Sequence, residues 1–404
     1  GYEQDAICTT GGGRPPAARF GRMTALSLHV AHAVTPEGVI DDAVIEVEDG
    51  RIASVRRAAD GDADPALPLW AVPGFVDTHC HGADGVSFGD PDREANLRAA
   101  RYHRTHGTTT LFASTVTEPI EKLERQLGVL RVLVEEGELA GIHLEGPFLA
   151  PERKGAHDVA LLRDPDPESV GRLIAAGGPA LKMITMAVER EHGEAATRRF
   201  VEAGVHVAFG HSDADDVTTA RSIEWGADVV THLFNAMRPI HHREPGPIPV
   251  VLSDDRVMVE LICDGVHLAP VVAAMSIDAA GPGRVALVTD AMAATGKGDG
   301  RYILGELRVD VHDGTARLVT EDGSPGAIAG STLTMAGAFR FVVQEVGVSI
   351  PDAALMAATT PAAWHGLSDV GRLAPGLWAD ICLVDDDGDL HGVLRRGDWV
   401  VAAP

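Results

Sequence analysis

Both ends of the chain alternate apolar and polar positions with the period of two that is typical of β-strands. Near the start, apolar residues occupy every second position over 26–30, and a second alternating segment crosses Asp49-Gly50. An Asp-Gly pair between two such segments favours the tight turn of a β-hairpin. A similar strand-like pattern returns over 379–384 and 399–401. We therefore predict one small β-domain built from both ends of the chain.

The middle of the chain combines short apolar runs of strand length with longer segments of helical periodicity. The eight apolar runs are Gly74–Thr78, Thr108–Ala113, Gly141–Leu144, Leu181–Met186, Val205–Phe209, Val229–Thr231, Met258–Ile262 and Val285–Thr289. Helical spacing of apolar residues predicts helices over 123–134, 196–203, 217–225 and 270–279. Strands separated by helices pair in parallel through right-handed crossovers, and eight such units close a barrel. We predict an α/β fold with a TIM-type (β/α)8 barrel, and an open doubly wound sheet is the alternative.

These changes of pattern give the domain boundaries. Residues 24–71 and 367–404 are expected to form a small β-sandwich domain, and residues 72–366 the barrel. Residues 1–23 are rich in glycine, proline and arginine and show no periodicity, so we expect a flexible leader there. A further alternating stretch, Tyr302–Glu321, crosses an Asp-Gly pair and predicts a hairpin inserted after the eighth barrel strand.

Residues that can bind a metal ion follow directly after five of the eight predicted strands. The five segments are Asp77–Gly82, His143–Pro147, Gly210–Ser212, Thr231–Leu233 and Thr289–Ala291. All strands of a parallel barrel end on one face, so these segments converge on one mouth. The period of a strand turns the side chains of His79 and His81 to the same side. Glu145, His211 and His232 add a carboxylate and two imidazoles, a set that suits Zn²⁺ or another first-row divalent ion.

Composition and charge exclude several classes of partner. The 404 residues include 34 basic and 59 acidic side chains, which gives a net charge of −25. Such a surface repels the phosphates of nucleic acids and anionic lipids, so we expect neither nucleic acid nor membrane as a partner. No apolar run approaches the roughly 18 residues of a membrane span. The four cysteines form no CxxC pair, which favours a reducing cytoplasm over a disulfide-bonded setting.

Two segments near the barrel boundaries, Val72–Gly82 and Gly371–Asp380, resemble the opening and closing signatures of the amidohydrolase superfamily. Further motifs resemble, within that superfamily, the family of N-acetylglucosamine-6-phosphate deacetylases. These motifs are His143–Phe148, Lys154–His157, Gly210–Ser212, Thr231–Met237, Arg243–Gly246, Asp264–His267, Val288–Ala291 and Gly330–Met335. The resemblance extends from about Thr24 to Val401. It implies metal-dependent hydrolysis of the acetamide of N-acetylglucosamine 6-phosphate to glucosamine 6-phosphate and acetate, in cytoplasmic amino-sugar metabolism and cell-wall recycling.

The resemblance implies a metal centre of one or two divalent ions, which we expect to be Zn²⁺. Glu145, His211 and His232 would hold the principal ion. His79 and His81 make a second site chemically feasible, with Glu145 as the bridge. A bound ion lowers the pKa of water so that hydroxide is available near neutral pH.

The resemblance also assigns two catalytic residues. Asp290, itself a further candidate ligand, would take a proton from the attacking water and then give it to the departing amine. His157 would polarise the acetyl carbonyl. Both residues would therefore lie beside the metal centre.

A further group of residues would bind the sugar and its phosphate. These residues are Ala156, His157, Asn235, Ala236, Arg243, His267, Ala329, Gly330 and Ser331. The planar guanidinium fork of an arginine suits the oxygens of a phosphate. In the family this arginine reaches the site of the neighbouring subunit, so Arg243 implies a homodimer.

Two other functions remain open on the sequence alone. Related barrel enzymes that hydrolyse cyclic amides, of the hydantoinase or dihydroorotase type, bridge two metal ions with a carboxylated lysine on the fourth strand, where this chain has Lys182. A non-catalytic metal-binding or interaction protein is the second alternative, although it would need neither Asp290 nor His157.

Overall fold

The computed structural model describes residues 25–62 and 66–403, so the leader predicted over 1–23 lies outside the described residues. The strands are β1 (Ala25–Thr35), β2 (Gly38–Glu48), β3 (Arg51–Arg57), β4 (Leu67–Pro73), β5 (Phe75–Asp77), β6 (Gly82–Ala83), β7 (Val86–Ser87), β8 (Thr108–Thr115), β9 (Gly141–Glu145), β10 (Leu181–Met186), β11 (His206–Phe209), β12 (Val229–Val230), β13 (Met258–Leu261), β14 (Val285–Leu287), β15 (Gly300–Leu304), β16 (Leu307–His312), β17 (Thr315–Val319), β18 (Pro325–Ile328), β19 (Ile381–Val384), β20 (Leu390–Arg395) and β21 (Asp398–Val401). The α-helices are α1 (Arg93–Arg104), α2 (Ile120–Glu135), α3 (Pro167–Gly177), α4 (Gly193–Glu202), α5 (Asp216–Trp225), α6 (Pro247–Ser253), α7 (Pro270–Ala280), α8 (Met335–Phe341), α9 (Ile350–Ala354) and α10 (Thr360–Trp364). In the described part of the chain, no helix is long and apolar enough to cross a membrane.

The two ends of the chain meet in one seven-stranded sheet with the strand order β21-β20-β19-β4-β1-β2-β3. The Asp49-Gly50 pair turns the chain between β2 and β3, which pair antiparallel as the alternation predicts. The sheet joins the two ends where β4 pairs antiparallel with β19 and Val72 lies opposite Cys382. Buried apolar side chains such as Ile45 form its core. The prediction of a small β-domain built from both ends is confirmed.

The eight predicted strands of the middle region form one parallel sheet with the order β14-β13-β12-β11-β10-β9-β8-β5. Its two edges meet where the backbone N–H of Asp290 donates to the carbonyl of His79 at 2.8 Å. Cys80 and Ala291 form a parallel bridge at the same junction. The sheet therefore closes on itself, which confirms the (β/α)8 barrel and makes the open-sheet alternative wrong.

The barrel interior is apolar towards one end and polar towards the other. Five buried side chains from consecutive strands fill the apolar part, namely Met183, Ala208, Val229, Met258 and Ala286. Nearer the carboxyl ends of the strands, the buried imidazole of His143 lies with Nε2 2.8 Å from Oγ1 of Thr185. Because the floor is filled, the barrel has no pore, and its polar side chains gather at one mouth.

After the eighth barrel strand the chain builds a separate four-stranded antiparallel sheet, β15 to β18, which we call the inserted sheet. The predicted hairpin is present as β16 and β17, with β15 and β18 added on either side. The inserted sheet packs on the barrel through a buried cluster that includes Leu304, Val309 and Met292. The chain then returns to the barrel at Ser331, whose N–H donates to the carbonyl of Asp290 at 2.7 Å.

Candidate active site

The carboxyl ends of the barrel strands enclose a cavity of about 360 Å³. Six of the predicted metal-binding and catalytic residues line it, namely His81, Glu145, His157, His211, His232 and Asp290. His79 lies fully buried behind His81, with its Nε2 3.2 Å from Nε2 of that residue. The fold therefore brings together side chains that are up to 211 positions apart in sequence, from His79 to Asp290.

Backbone geometry directs three of these side chains into the cavity. His211, His232 and Asp290 each follow a barrel strand and adopt a positive φ, of 47°, 28° and 48°. This left-handed conformation is costly for residues with a β-carbon, and it is concentrated at functional sites where the surrounding structure holds it in place. The turn that ends each strand therefore also aims its side chain.

Two groups of potential metal ligands share one carboxylate. One group is His79, His81, Glu145 and Asp290, and the other is Glu145, His211 and His232. Oε1 of Glu145 lies 3.1 Å from Nε2 of both His211 and His232, while Oε2 lies 3.1 Å from Nε2 of His81. Glu145 therefore stands between two adjacent sites, as a bridging ligand must.

The hydrogen bonds behind two of the four imidazoles, those of His79 and His211, fit a metal centre. Nδ1 of His211 lies 2.9 Å from the carbonyl oxygen of Arg153, which can only accept, so Nδ1 carries the proton. Nδ1 of His79 lies 3.1 Å from the carboxylate of Glu260 and donates in the same way. In the neutral rings Nε2 then presents a lone pair towards Glu145. Lone pairs that face a carboxylate need a cation between them, and a ligating histidine bonded behind to a carbonyl or carboxylate is the usual arrangement in metal sites.

The electrostatics of the cluster also call for positive charge. Burial alone would lower the pKa of His81, but its hydrogen bonds to Asp290 and Glu145 outweigh burial and raise that pKa to about 9. Without a bound cation the imidazoles take up protons instead: burial would raise the pKa of Asp290, yet the charge of a protonated His79 and the hydrogen bond from His81 lower it to about 2. The two carboxylates therefore stabilise cations around them. A divalent ion held by these residues would supply the positive charge that the two carboxylates stabilise.

His157 faces the same cavity in one defined tautomer. Its Nδ1 accepts the backbone N–H of Thr117 at 3.3 Å and lies 2.9 Å from Oγ1 of that residue. The proton of the neutral ring is therefore on Nε2, which lies 3.4 Å from Oε2 of Glu145. Burial lowers the pKa of His157 to about 4. The residue thus offers a neutral N–H donor beside the cluster, which suits polarisation of a carbonyl oxygen.

The predicted substrate-binding residues fall into three groups. Ala156, His157, Asn235, Ala236, His267 and Gly330 line the cavity. Ala329 and Ser331 flank Gly330 and are buried. Nδ1 of His267 lies 2.7 Å from a carboxylate oxygen of Asp264, so its Nε2 is the ring nitrogen left for a ligand. Arg243 does not line the cavity of its own chain; it is exposed, with Nη1 2.7 Å from Nε2 of His242.

Sequence reasoning missed three residues that hold the site in place. Glu260 supports His79, Thr117 sets the tautomer of His157, and the backbone of Arg153 orients His211. Glu260 could have been identified from the sequence, because it is a single carboxylate inside the apolar run Met258–Ile262. In the structure it is fully buried. Arg153 acts through its backbone carbonyl, which every residue type carries, and Thr117 acts through its backbone N–H together with its hydroxyl, which is common among surface and strand residues, so neither leaves a comparable signal.

Lys182 lies away from the metal-ligand cluster. It precedes Met183 on β10, and Met183 belongs to the apolar floor of the barrel, so the strand alternation turns Lys182 outwards. Lys182 instead lies near His365, whose pKa it helps to lower after burial and His206. The cyclic-amide alternative therefore lacks its bridging lysine, and Glu145 occupies the bridging position.

Comparison with known proteins agrees with this geometry. Residues 70–400 match the model of the amidohydrolase family. The chain is 33% identical over 371 residues to an N-acetylglucosamine-6-phosphate deacetylase of Vibrio furnissii, with 90% of this chain and 92% of that protein covered. It is 34% identical over 376 residues to an N-acetylgalactosamine-6-phosphate deacetylase of Escherichia coli, with 92% and 98% covered.

Among solved structures, an N-acetyl-D-glucosamine-6-phosphate deacetylase variant from Mycobacterium smegmatis, in complex with N-acetyl-D-glucosamine-6-phosphate, superimposes with a TM-score of 0.90. It is 42% identical, and the match covers 94% of this chain and all of that one. The Thermotoga maritima deacetylase gives a TM-score of 0.84 at 32% identity, over 94% of this chain and 100% of that one. The chain belongs to the amidohydrolase family and, within it, to the N-acetylglucosamine-6-phosphate deacetylases.

Proposed function

We propose that this protein hydrolyses the acetamide of N-acetylglucosamine 6-phosphate to glucosamine 6-phosphate and acetate. The observation that carries the proposal is the pairing of a carboxylate with a neutral imidazole donor at one cavity. Asp290 supplies the carboxylate, and Nε2 of His157 supplies the donor. We place this reaction in cytoplasmic amino-sugar metabolism and cell-wall recycling. The buried free thiols of Cys80, Cys263 and Cys382 suit a reducing compartment.

The roles of the residues follow from what each side chain can donate or accept. Nε2–H of His157 donates to the acetyl oxygen, where negative charge develops as the carbonyl carbon is attacked. Asp290 accepts a proton from the attacking water and returns it to the amide nitrogen, because an unprotonated amine is a poor leaving group. His157 and Asp290 thus act on opposite ends of the scissile amide.

We propose Zn²⁺ as the cation, with Glu145, His211 and His232 holding the principal ion. His79, His81 and Asp290 would complete a second site with Glu145. The bound cation supplies Lewis-acid activation of the water and of the carbonyl. Ala156, Asn235, Ala236, His267, Ala329, Gly330 and Ser331 would surround the sugar.

A substrate panel with a chelation control tests the proposed function. We expect deacetylation of N-acetylglucosamine 6-phosphate, weaker turnover of unphosphorylated N-acetylglucosamine, and no hydrolysis of dihydroorotate or hydantoin. N-acetylgalactosamine 6-phosphate belongs in the panel because one relative acts on that sugar. Chelation should remove the activity, and added metal should restore it. Hydrolysis of a cyclic amide alone would favour the alternative, and no turnover of any compound would favour a binding protein.

We further propose that the protein forms a homodimer in which Arg243 binds the phosphate in the partner's site. Arg243 is exposed and outside its own cavity, which supports a role in a second copy. Two apolar side chains that could contribute to a dimer contact, Val271 and Met275, lie one turn apart on α7 and are 73% and 45% exposed.

Subunit mixing tests the sharing of Arg243. Asp290→Asn chains and Arg243→Ala chains should each be weak or inactive alone, yet a mixture should regain activity. In the mixed dimer one site has Asp290 from one chain and Arg243 from the other, so that site is complete. The measurement is activity on the phosphorylated sugar after subunit exchange has been verified by native mass spectrometry. Exchange without recovery would show that Arg243 acts within its own chain.

A further inference from the structure

A positively charged side chain of the inserted sheet lies one strand away from β18, whose residues Ala327 and Ile328 line the cavity, and it has no role in the chemistry described so far. Arg317 is an exposed residue of β17. In the antiparallel pairing it lies directly opposite Ile328 of β18, and Ile328 lines the cavity. Because residues directly opposite each other share a face of the sheet, Arg317 projects on the same side as this cavity-lining residue.

The contacts of the guanidinium place it over β18. Nη1 of Arg317 donates to the carbonyl oxygen of Gly326 at 3.2 Å, and Gly326 precedes Ala327 and Ile328, which both line the cavity. Burial would lower the pKa of His267, but the contact with Asp264 raises that pKa overall; the charge of Arg317 works against this rise, so the guanidinium lies on the side of that ring. Arg317 and His267 therefore approach the same end of the cavity from the inserted sheet and from the barrel.

The charge of Arg317 is not neutralised by a neighbour. Within residues 25–62 and 66–403, no carboxylate oxygen lies within 4.0 Å of its guanidinium. Asp310 is the residue opposite on β16, but its carboxylate pairs with Arg301 at 3.5 Å. By contrast Arg153, which lines the same cavity, is bound to Asp213 at 2.9 Å. Arg317 thus keeps most of its five N–H donors for a ligand.

An arginine without a carboxylate partner beside a cavity-lining strand can attract an anionic ligand locally, in a chain whose net charge of −25 repels anions at long range. A guanidinium matches the oxygens of a phosphate group, and charge-assisted hydrogen bonds of this kind are about twice as strong as neutral ones. His267 adds a second N–H donor when it is protonated. We propose that Arg317 is a specificity-determining residue that binds the phosphate group of the substrate within its own chain; this inference rests on the proposed function.

The test compares two arginines of the inserted sheet. Arg308 is a matched control, because it is exposed on β16 and shares the face of Asp310, two positions further on, but lies one strand further from β18. For Arg317→Gln we expect kcat/KM on N-acetylglucosamine 6-phosphate to fall about tenfold, mainly through KM. Turnover of the unphosphorylated sugar should not change, Arg317→Lys should retain part of the affinity, and Arg308→Gln should match the wild type.

Two further measurements test whether Arg317 acts within its own chain and whether it binds phosphate directly. Mixing Arg317→Gln with Asp290→Asn chains should give no recovery, because the site that keeps Asp290 then lacks Arg317. Binding of inorganic phosphate, followed by calorimetry, should weaken by a similar factor in Arg317→Gln and not in Arg308→Gln.

Several results would overturn the assignment of Arg317. Equal losses on both sugars would show a structural role, and losses equal to those of Arg308→Gln would show a general charge effect. Recovery on mixing would show that Arg317 serves the other subunit's site. If the wild type left the phosphorylated sugar intact, the proposed function would fail, and the calorimetric comparison would still decide whether Arg317 binds phosphate.

Discussion

Asp290→Asn is expected to lower kcat by about 10²- to 10⁴-fold, the usual contribution of a positioned general acid–base group. The substitution preserves the size of the side chain and an oxygen that can still contact a cation. It removes the carboxylate that accepts the proton of water and returns it to the amine. Metal content should therefore remain close to that of the wild type while turnover collapses. The measurement is kcat on the phosphorylated sugar together with elemental analysis of the same sample.

Asp228→Asn provides the matched control for this change. Asp228 precedes β12, at the opposite end of the barrel from Asp290, where it pairs with His206 at 2.7 Å. It should leave kcat unchanged, because it contacts no group of the cavity. Near-normal turnover in a metal-loaded Asp290→Asn variant would refute the role of Asp290 in proton transfer.

Glu145→Ala is expected to abolish metal binding and activity together. Glu145 belongs to both ligand groups, so its loss leaves each site one carboxylate short. A catalytic cation contributes several kcal/mol of transition-state stabilisation, which corresponds to about 10³-fold or more in rate. His79→Ala, in contrast, disturbs only one ligand group and should retain one ion and substantial activity. Elemental analysis and kcat of both variants check this difference.

The control for Glu145 lies at the same cavity. Glu152→Gln alters an exposed carboxylate that lines the cavity without joining either ligand group, so metal content should stay the same. A His79→Ala variant with no metal at all would show that the His-x-His pair holds the principal ion instead. Full metal content in Glu145→Ala would refute its bridging role.

The barrel could be predicted from sequence because its strands are buried on both sides. All eight residues of β8 and all five of β9 are buried, and apart from His143 and Glu145 these residues are apolar or small, so both strands stand out from the helices around them. Several helices were not predicted. α1 has a charged exposed side, and the short helices α9 and α10 are separated by a π-helical turn, Leu355–Thr359, that breaks regular periodicity.

The cluster of histidines could be predicted because residue type and strand end together imply a shared location. The support behind the cluster depends on tertiary contacts that no local pattern encodes. Thr117 and His157 are 40 positions apart, and the contact that sets the tautomer involves a backbone N–H. Arg317 is an ordinary exposed residue in sequence, and only the pairing of β17 with β18 places it beside the cavity.

The inserted sheet starts and ends at one point of the barrel, since the N–H of Ser331 donates to the carbonyl of Asp290. An inserted segment whose two ends lie close together can be exchanged during evolution without moving the rest of the fold. Doubling the length of such a loop costs only about 0.6 kcal/mol in closure entropy, so segments of different size can be grafted at this junction. The proposed proton-transfer residue Asp290 would stay on the barrel, while residues of the exchanged segment such as Leu304 and Ile328 line the cavity. Recombination at Asp290 and Ser331 therefore offers a route to new sugar preferences around an unchanged hydrolytic centre.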